Sequence, residues 1–263
     1  MRHAVCLSSL LGIAAVGLLA GCPDRSVSKP DVNQGRVEYK DIPVTVNRNI
    51  DILFVIDDSP SMADKQTNLK NNFPNFINVL NTIEGGLPNV HLGVVTSDLG
   101  TKAADGTAAT SLPGTGGCSS AGGKNGVLQT SGSTAVQAGA VYISDIKDNT
   151  GMRQVNYSGT LADAFTQIAG VGNGGCGFEQ HIEAAKKALD QNPANAGFLR
   201  QDAYLAIIFL ADEDDCSMAK STLLSADTSS LGPLQSFRCT RFGITCDQGG
   251  ADTNAMNQIG PKG

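Results

Sequence analysis

The feature that most constrains this chain is a run of five apolar residues, Ile52-Leu53-Phe54-Val55-Ile56, that stops abruptly at Asp57-Asp58-Ser59-Pro60-Ser61. A half-buried strand alternates apolar and polar residues. A continuous run of this length fits a strand buried on both faces, at the centre of a parallel sheet. Val90 to Ser97 reads as a second strand and closes with Asp98. Tyr204-Leu205-Ala206-Ile207-Ile208-Phe209-Leu210 is a third, and it leads into Asp212-Glu213-Asp214-Asp215.

Helical spacing fills the connections. Phe73, Phe76, Ile77, Leu80 and Ile83 recur along 61–84, with Pro74 expected to kink that helix or to start its second half, and Gly85-Gly86 to stop it. Residues 161–168 and 178–189 read as two more helices, the latter with Ile182, Ala185, Ala188 and Leu189 as a buried stripe. Residues 140–146 suggest a short strand, and Val37 to Val46 a weak edge strand containing Pro43. Residues 100–138, rich in Gly, Ala, Ser and Thr, keep no period and read as a looped insertion; beyond Cys216 no apolar strand follows. Long helical connections mean parallel strands. The expected fold is therefore α/β, an open, mostly parallel sheet with helices on both faces. A length of 263 residues suits one such domain with an insertion.

Ligands of open α/β sheets gather outside the carboxyl ends of the strands. All three strong strands end there in carboxylate, at Asp57, Asp98 and Asp212, and hydroxyls stand beside the first, at Ser59 and Ser61. Crowded carboxylates call for a compensating cation. Oxygen-only ligands suit a hard ion, Mg²⁺ or Ca²⁺. Simpler roles compete: Asp57 and Ser59 as a helix N-cap, Asp98 as a turn residue, and Glu213, Asp214 and Asp215 as a solvated loop. His91 and His181 are isolated and receive no chemistry. The formal charge of -6 leaves no footprint for nucleic acid and favours cations or basic partners. Neither a P-loop nor a G-x-S-x-G elbow is present, and no enzymatic activity is expected.

Arg2 and His3 precede an apolar run, Ala4 to Ala20, that ends in Leu19-Ala20-Gly21-Cys22. This resembles the signal of a bacterial lipoprotein. The resemblance implies removal of residues 1–21 and acylation of Cys22, with anchoring to the outer membrane of a Gram-negative envelope, on its periplasmic or its surface face. Residues 22–35 then form a polar tether, and 36–263 the domain. Of seven cysteines, Cys6 leaves with the signal and Cys22 carries lipid, which leaves Cys118, Cys176, Cys216, Cys239 and Cys246. Disulfides are permitted outside the cytoplasm. Cys118 and Cys176, each in a Gly-Gly-Cys context, are expected to pair. The remaining three stay unassigned.

Residues Ile52 to Met62 resemble the metal-ion-dependent adhesion site of von Willebrand factor A domains, a D-x-S-x-S motif after a buried strand, here Asp57, Ser59 and Ser61. The family's later Asp follows a strand like Ile207-Ile208-Phe209-Leu210-Ala211 and maps to Asp212. The resemblance spans roughly residues 51–216. It implies a Rossmann-like sheet and a divalent ion (Mg²⁺, or Ca²⁺ or Mn²⁺) bound directly by the serines and through water by the aspartate. It also implies a protein partner that offers a carboxylate to the ion. Two departures stand out. Where the family has a threonine, near Gly174-Gly175-Cys176-Gly177, this chain has none, so Glu179 becomes the nearest oxygen ligand, with Asp98 a further candidate. The family also continues with strands and helices after the Asp212 strand, so a domain short of its last strands is expected. Two alternatives differ in class. One is a metal-free scaffold of the same fold. The other is a haloacid dehalogenase-like phosphatase, which needs a second aspartate where Ser59 stands.

Overall fold

The computed structural model describes residues 46–109, 118–119, 121–130 and 132–243. The chain divides into residues 1–45 and 46–263, and every described residue lies in the second unit. The signal run, Cys22, the tether, the 37–45 segment and Cys246 lie outside the described residues.

Five strands form one open sheet: β1 (Asn49–Ile56), β2 (Asn89–Thr96), β3 (Ile143–Lys147), β4 (Arg153–Val155) and β5 (Tyr204–Leu210), in the order β4-β3-β2-β1-β5. β1 lies between β2 and β5 and runs parallel to both, with Ile56 level with Thr96 and with Leu210. β3 and β4 continue the sheet antiparallel. The sheet is thus mixed, with the expected parallel core. β4, Arg153-Gln154-Val155, carries no apolar pattern. It is held by Arg153, whose guanidinium pairs with Asp145 and donates to the carbonyls of Leu87 and Pro88.

The even residues of β1 point to one face. There Ile52, Phe54 and Ile56 pack with Phe73, Ile77 and Leu80 of α1 (Ala63–Thr82) and with Leu161, Phe165 and Ile168 of α2 (Leu161–Ile168). Phe73 and Phe165 stack with centroids 3.6 Å apart. Each such side chain contributes about 1.5–3 kcal/mol by burial. The odd residues Leu53 and Val55 face Ala185 and Ala188 of α3 (His181–Leu189), with Val95, Leu128 and Phe198. Helices therefore cover both faces of the central strands, which is why β1 has no polar alternation. Gly93 in β2 has a steric reason: a Cβ there would meet Phe198 Cε2 at 2.8 Å and Leu128 Cδ2 at 3.0 Å.

Three expectations need correction. α1 runs through Pro74 as one 20-residue helix, without the second start. α3 begins at His181 rather than at 178, because Phe178 packs into a separate cluster with Cys118, Cys176, Cys216 and Cys239. Ile182, assigned to the buried stripe, is 61% exposed.

Cys118 and Cys176 form a disulfide with Cα atoms 4.2 Å apart, as expected, and Cys216 pairs with Cys239. The first closes a loop over 58 positions and pins the Gly-rich insertion. Chain entropy makes such a closure worth about 4 kcal/mol. Among the described residues, only short helices follow β5: a 3-10 turn at Ser221–Leu224, α4 (Thr228–Leu231) and α5 (Phe237–Phe242). The fully buried Arg238 guanidinium ties them together by donating to the carbonyls of Pro233, Leu223, Ser225 and Gly232. No helix among the described residues is long and apolar enough to cross a membrane.

Candidate metal centre

Because β1 and β5 pair in register, their carboxyl ends are level: the Asp57 N–H donates to the Leu210 carbonyl at 2.9 Å. That bond sets Asp57 beside the turn that carries Asp212. The Ser61 hydroxyl donates to Asp212 Oδ1 at 3.0 Å, and the Ser59 and Ser61 hydroxyl oxygens are 3.2 Å apart. Asp57 Oδ1 accepts the Ser59 N–H at 2.7 Å and the Ser97 hydroxyl at 3.2 Å. Four residues separated by as many as 155 positions thus meet at one edge of the sheet. Helix capping does not account for the serines. Ser59 precedes the 3-10 turn Pro60–Met62 with no side-chain capping bond, and Met62 at the start of α1 makes none either.

Whether these residues suit a divalent ion rests on their chemistry. Asp57 is fully buried, and its Oδ2 has no hydrogen-bond partner. A buried carboxylate oxygen without a hydrogen bond is costly unless a charge sits against it, and His181 Nε2, 3.7 Å away, is one such charge. Two hydroxyls and two carboxylates form an all-oxygen donor set of the kind a hard cation takes, with water to complete the shell. The residues therefore fit the ion. Among the described residues, no group of three or more His, Cys, Asp or Glu side chains is arranged to hold a metal. The candidate set of Asp57, Ser59, Ser61 and Asp212 contains two such side chains, and its other oxygens are hydroxyls.

The remaining candidates divide. Asp98 Oδ1 accepts the Gly100 N–H at 2.8 Å, so Asp98 is a turn residue folded back on its own loop. Cys176, where the resemblance calls for threonine, is committed to its disulfide. Glu179 is 1% exposed, with Oε2 unpartnered. Burial, aided by the charges of Glu213 and Asp57, pushes its carboxyl up to about 7. Its loop is stitched to the segments that follow β1, β2 and β5: Gly175 N–H to the Asp58 carbonyl, Gln180 N–H to that of Ser97, and Cys216 N–H to that of Glu179. The acidic trio is only partly a solvated loop, since Asp215 Oδ1 accepts the first-turn N–H of Ile182 in α3.

Two cations at the site carry no signal in the apolar pattern. His181 Nε2 lies 3.7 Å from Asp57 Oδ2, and its Nδ1 lies 3.8 Å from Asp215 Oδ1. Burial opposes its charge, but Asp215 and Asp57 outweigh burial and raise the imidazole to about 9. For Asp57, burial pushes upward, yet the His181 ring and the Ser59 N–H hold the carboxyl below the ordinary range. Lys65 Nζ stands 3.0 Å from Asp212 Oδ2 and donates to the Ser61 carbonyl at 3.0 Å. Its place four residues after Ser61 is the signal the sequence offered, since helical residues four apart share a face. From the insertion, Lys124 reaches the buried Asp58 at 2.7 Å. A pocket of about 550 Å³ opens beside the site, lined by Asp212, Glu213, Asp214, Phe237 and Thr240 among others.

Comparisons with protein-family models, with curated proteins and with solved structures find no match.

Proposed function

We propose that this chain is a lipid-anchored cell-envelope binding module of the von Willebrand factor A type, which engages a protein partner through a divalent cation. The observation that carries the reading is the Ser59–Ser61–Asp212 chain of oxygens at the level ends of two parallel strands, beside the unpartnered Oδ2 of buried Asp57. Ser59, Ser61 and Asp212 would hold the ion, Asp57 would reach it through water, and Glu179 is the oxygen available in place of the threonine. When bound, the ion supplies a positive centre for a partner's carboxylate. The protein's own groups orient it: Ser97 and the Ser59 N–H fix Asp57, and Gln66 Nε2 steadies the turn by donating to the Asp57 carbonyl. The adjoining acidic pocket offers space for a neighbouring basic side chain of the partner. The anchor is the Cys22 lipid that Leu19-Ala20-Gly21-Cys22 implies.

A metal-free scaffold is the second reading, favoured by one observation: each carboxylate already faces a cation of the protein, Asp57 facing His181 and Asp212 facing Lys65. Calorimetry with Mg²⁺, Mn²⁺ and Ca²⁺ separates the two readings. The ion reading expects heat of binding from the wild type and none from Asp57→Ala. No heat from the wild type with any ion leaves the scaffold.

A further inference from the structure

Lys65 is a partly exposed cation at the edge of the site with three defined contacts. Nζ bonds the Ser61 carbonyl at 3.0 Å, Asp212 Oδ2 at 3.0 Å and Asp64 Oδ1 at 3.1 Å. The first two belong to residues of the candidate ion site itself. Asp212 has two carboxylate oxygens: Oδ1 takes the Ser61 hydroxyl and Oδ2 takes the ammonium. A divalent ion that shares Asp212 with Ser61 would have this ammonium within a few ångströms. Like charges at that separation repel strongly unless water or movement intervenes.

We propose that the Lys65 ammonium is a tethered competitor of the divalent ion: it neutralises Asp212 when no ion is bound and must leave Asp212 when one arrives. The proposal rests on the ion-binding reading of the site. Geometry supplies the route out. The Lys65 side chain is about a third exposed, and Asp64, 72% exposed on the solvent side, already holds one of its protons. Moving off Asp212 gives up one carboxylate and keeps the other, since Asp64 is already in contact. The consequence is a site of deliberately low ion affinity, filled when ion concentration is high or when a partner's carboxylate adds a ligand. His181 cannot take this role, because its ring is buried against Asp57 on the inner side of the site.

The test is titration of the full chain with Mg²⁺ and with Mn²⁺ by calorimetry at constant ionic strength. Wild type is compared with Lys65→Met, which keeps the aliphatic stem, and with Lys65→Arg, which keeps the charge. Lys65→Gln is a second neutral variant should Lys65→Met fold poorly, and circular dichroism verifies the fold of each. Exposed ion pairs are individually weak, but here an attraction is lost and a repulsion removed. The neutral variants should bind roughly tenfold more tightly, about 1.4 kcal/mol, and Lys65→Arg should stay near wild type. Binding by a neutral variant where wild type shows none supports the proposal most strongly. Wild-type binding with equal or weaker affinity in both neutral variants overturns it and leaves the ion site standing. No binding by any chain overturns both.

Discussion

Removing the Arg200 guanidinium should destabilise the fold through a single stranded charge. Asp51 sits in the central strand β1 and is fully buried. Its Oδ2 accepts the Arg200 backbone N–H at 2.6 Å and its Oδ1 accepts Arg200 Nε at 2.8 Å, while Nη2 donates to the carbonyls of Ile50 and Asn89, each at 3.0 Å. Arg200→Ala keeps the backbone bond and deletes the other three. Among the described residues, the other base near Asp51 is His91, with Nδ1 3.6 Å from Asp51 Oδ1. Burial, with the neighbouring Arg200 charge, holds that imidazole below its ordinary range in the wild type. Breaking a buried pair from one side costs about 3–5 kcal/mol. The Arg200 side chain is 15% exposed, which admits some water and places the cost near 3 kcal/mol, a large share of the ~5–15 kcal/mol that hold a domain together. Urea unfolding of the two chains measures it, and the melting temperature should fall by roughly 6–12 °C. The double variant Asp51→Asn, Arg200→Met removes the stranded charge and should recover more than half of the loss. A cost below about 1 kcal/mol, or a double variant no better than the single, refutes the reasoning.

Glu179 and His181, both raised, bear on how stability depends on pH between 5 and 9. Glu179, at about 7 against 4.5, contributes fully below pH 4.5 and loses that contribution as pH rises through 7; His181, at about 9 against 6.5, loses its contribution between 6.5 and 9. Ion-free protein melted from pH 5 to 9 should therefore lose stability steadily, and Glu179→Gln should flatten the lower half of that slope. Replacing both Cys118 and Cys176 by Ser should cost about 4 kcal/mol in urea unfolding, and limited proteolysis should then cut the freed 100–138 insertion first. Mass spectrometry of membrane-extracted protein should find an N-terminal peptide that starts at acylated Cys22; an unmodified Met1 would contradict the anchor.

What was legible in the sequence follows from what each element buries. β1 and β2 announced themselves because the parallel core shields them from water, so no polar residue interrupts Leu53 to Ile56 or Val94 to Val95. β5 shows the limit of that signal. It is equally apolar, yet Leu205, Ile207 and Phe209 are 43%, 39% and 48% exposed, since α3 packs on β1 and β2 instead. β4 stayed invisible because an arginine bonded to loop carbonyls holds it, and no burial pattern marks it. The start of α3 was misplaced because Phe178 is apolar for the sake of the disulfide cluster. The meeting of Asp57, Ser59, Ser61 and Asp212 at one sheet edge was legible from their position after apolar strands. Lys65 and His181 were not, because a charge acquires its role from neighbours across the sheet. His181 in particular lies 124 positions after Asp57 and meets it only in the folded domain.

The most direct test of the central claim is to locate the ion. Crystals of the chain grown with Mn²⁺ should give an anomalous difference peak at bonding distance from both the Ser59 and Ser61 hydroxyls and against Asp212, with Lys65 turned toward Asp64. A map with no peak at that sheet edge, and with the Lys65 ammonium still on Asp212, would contradict the claim.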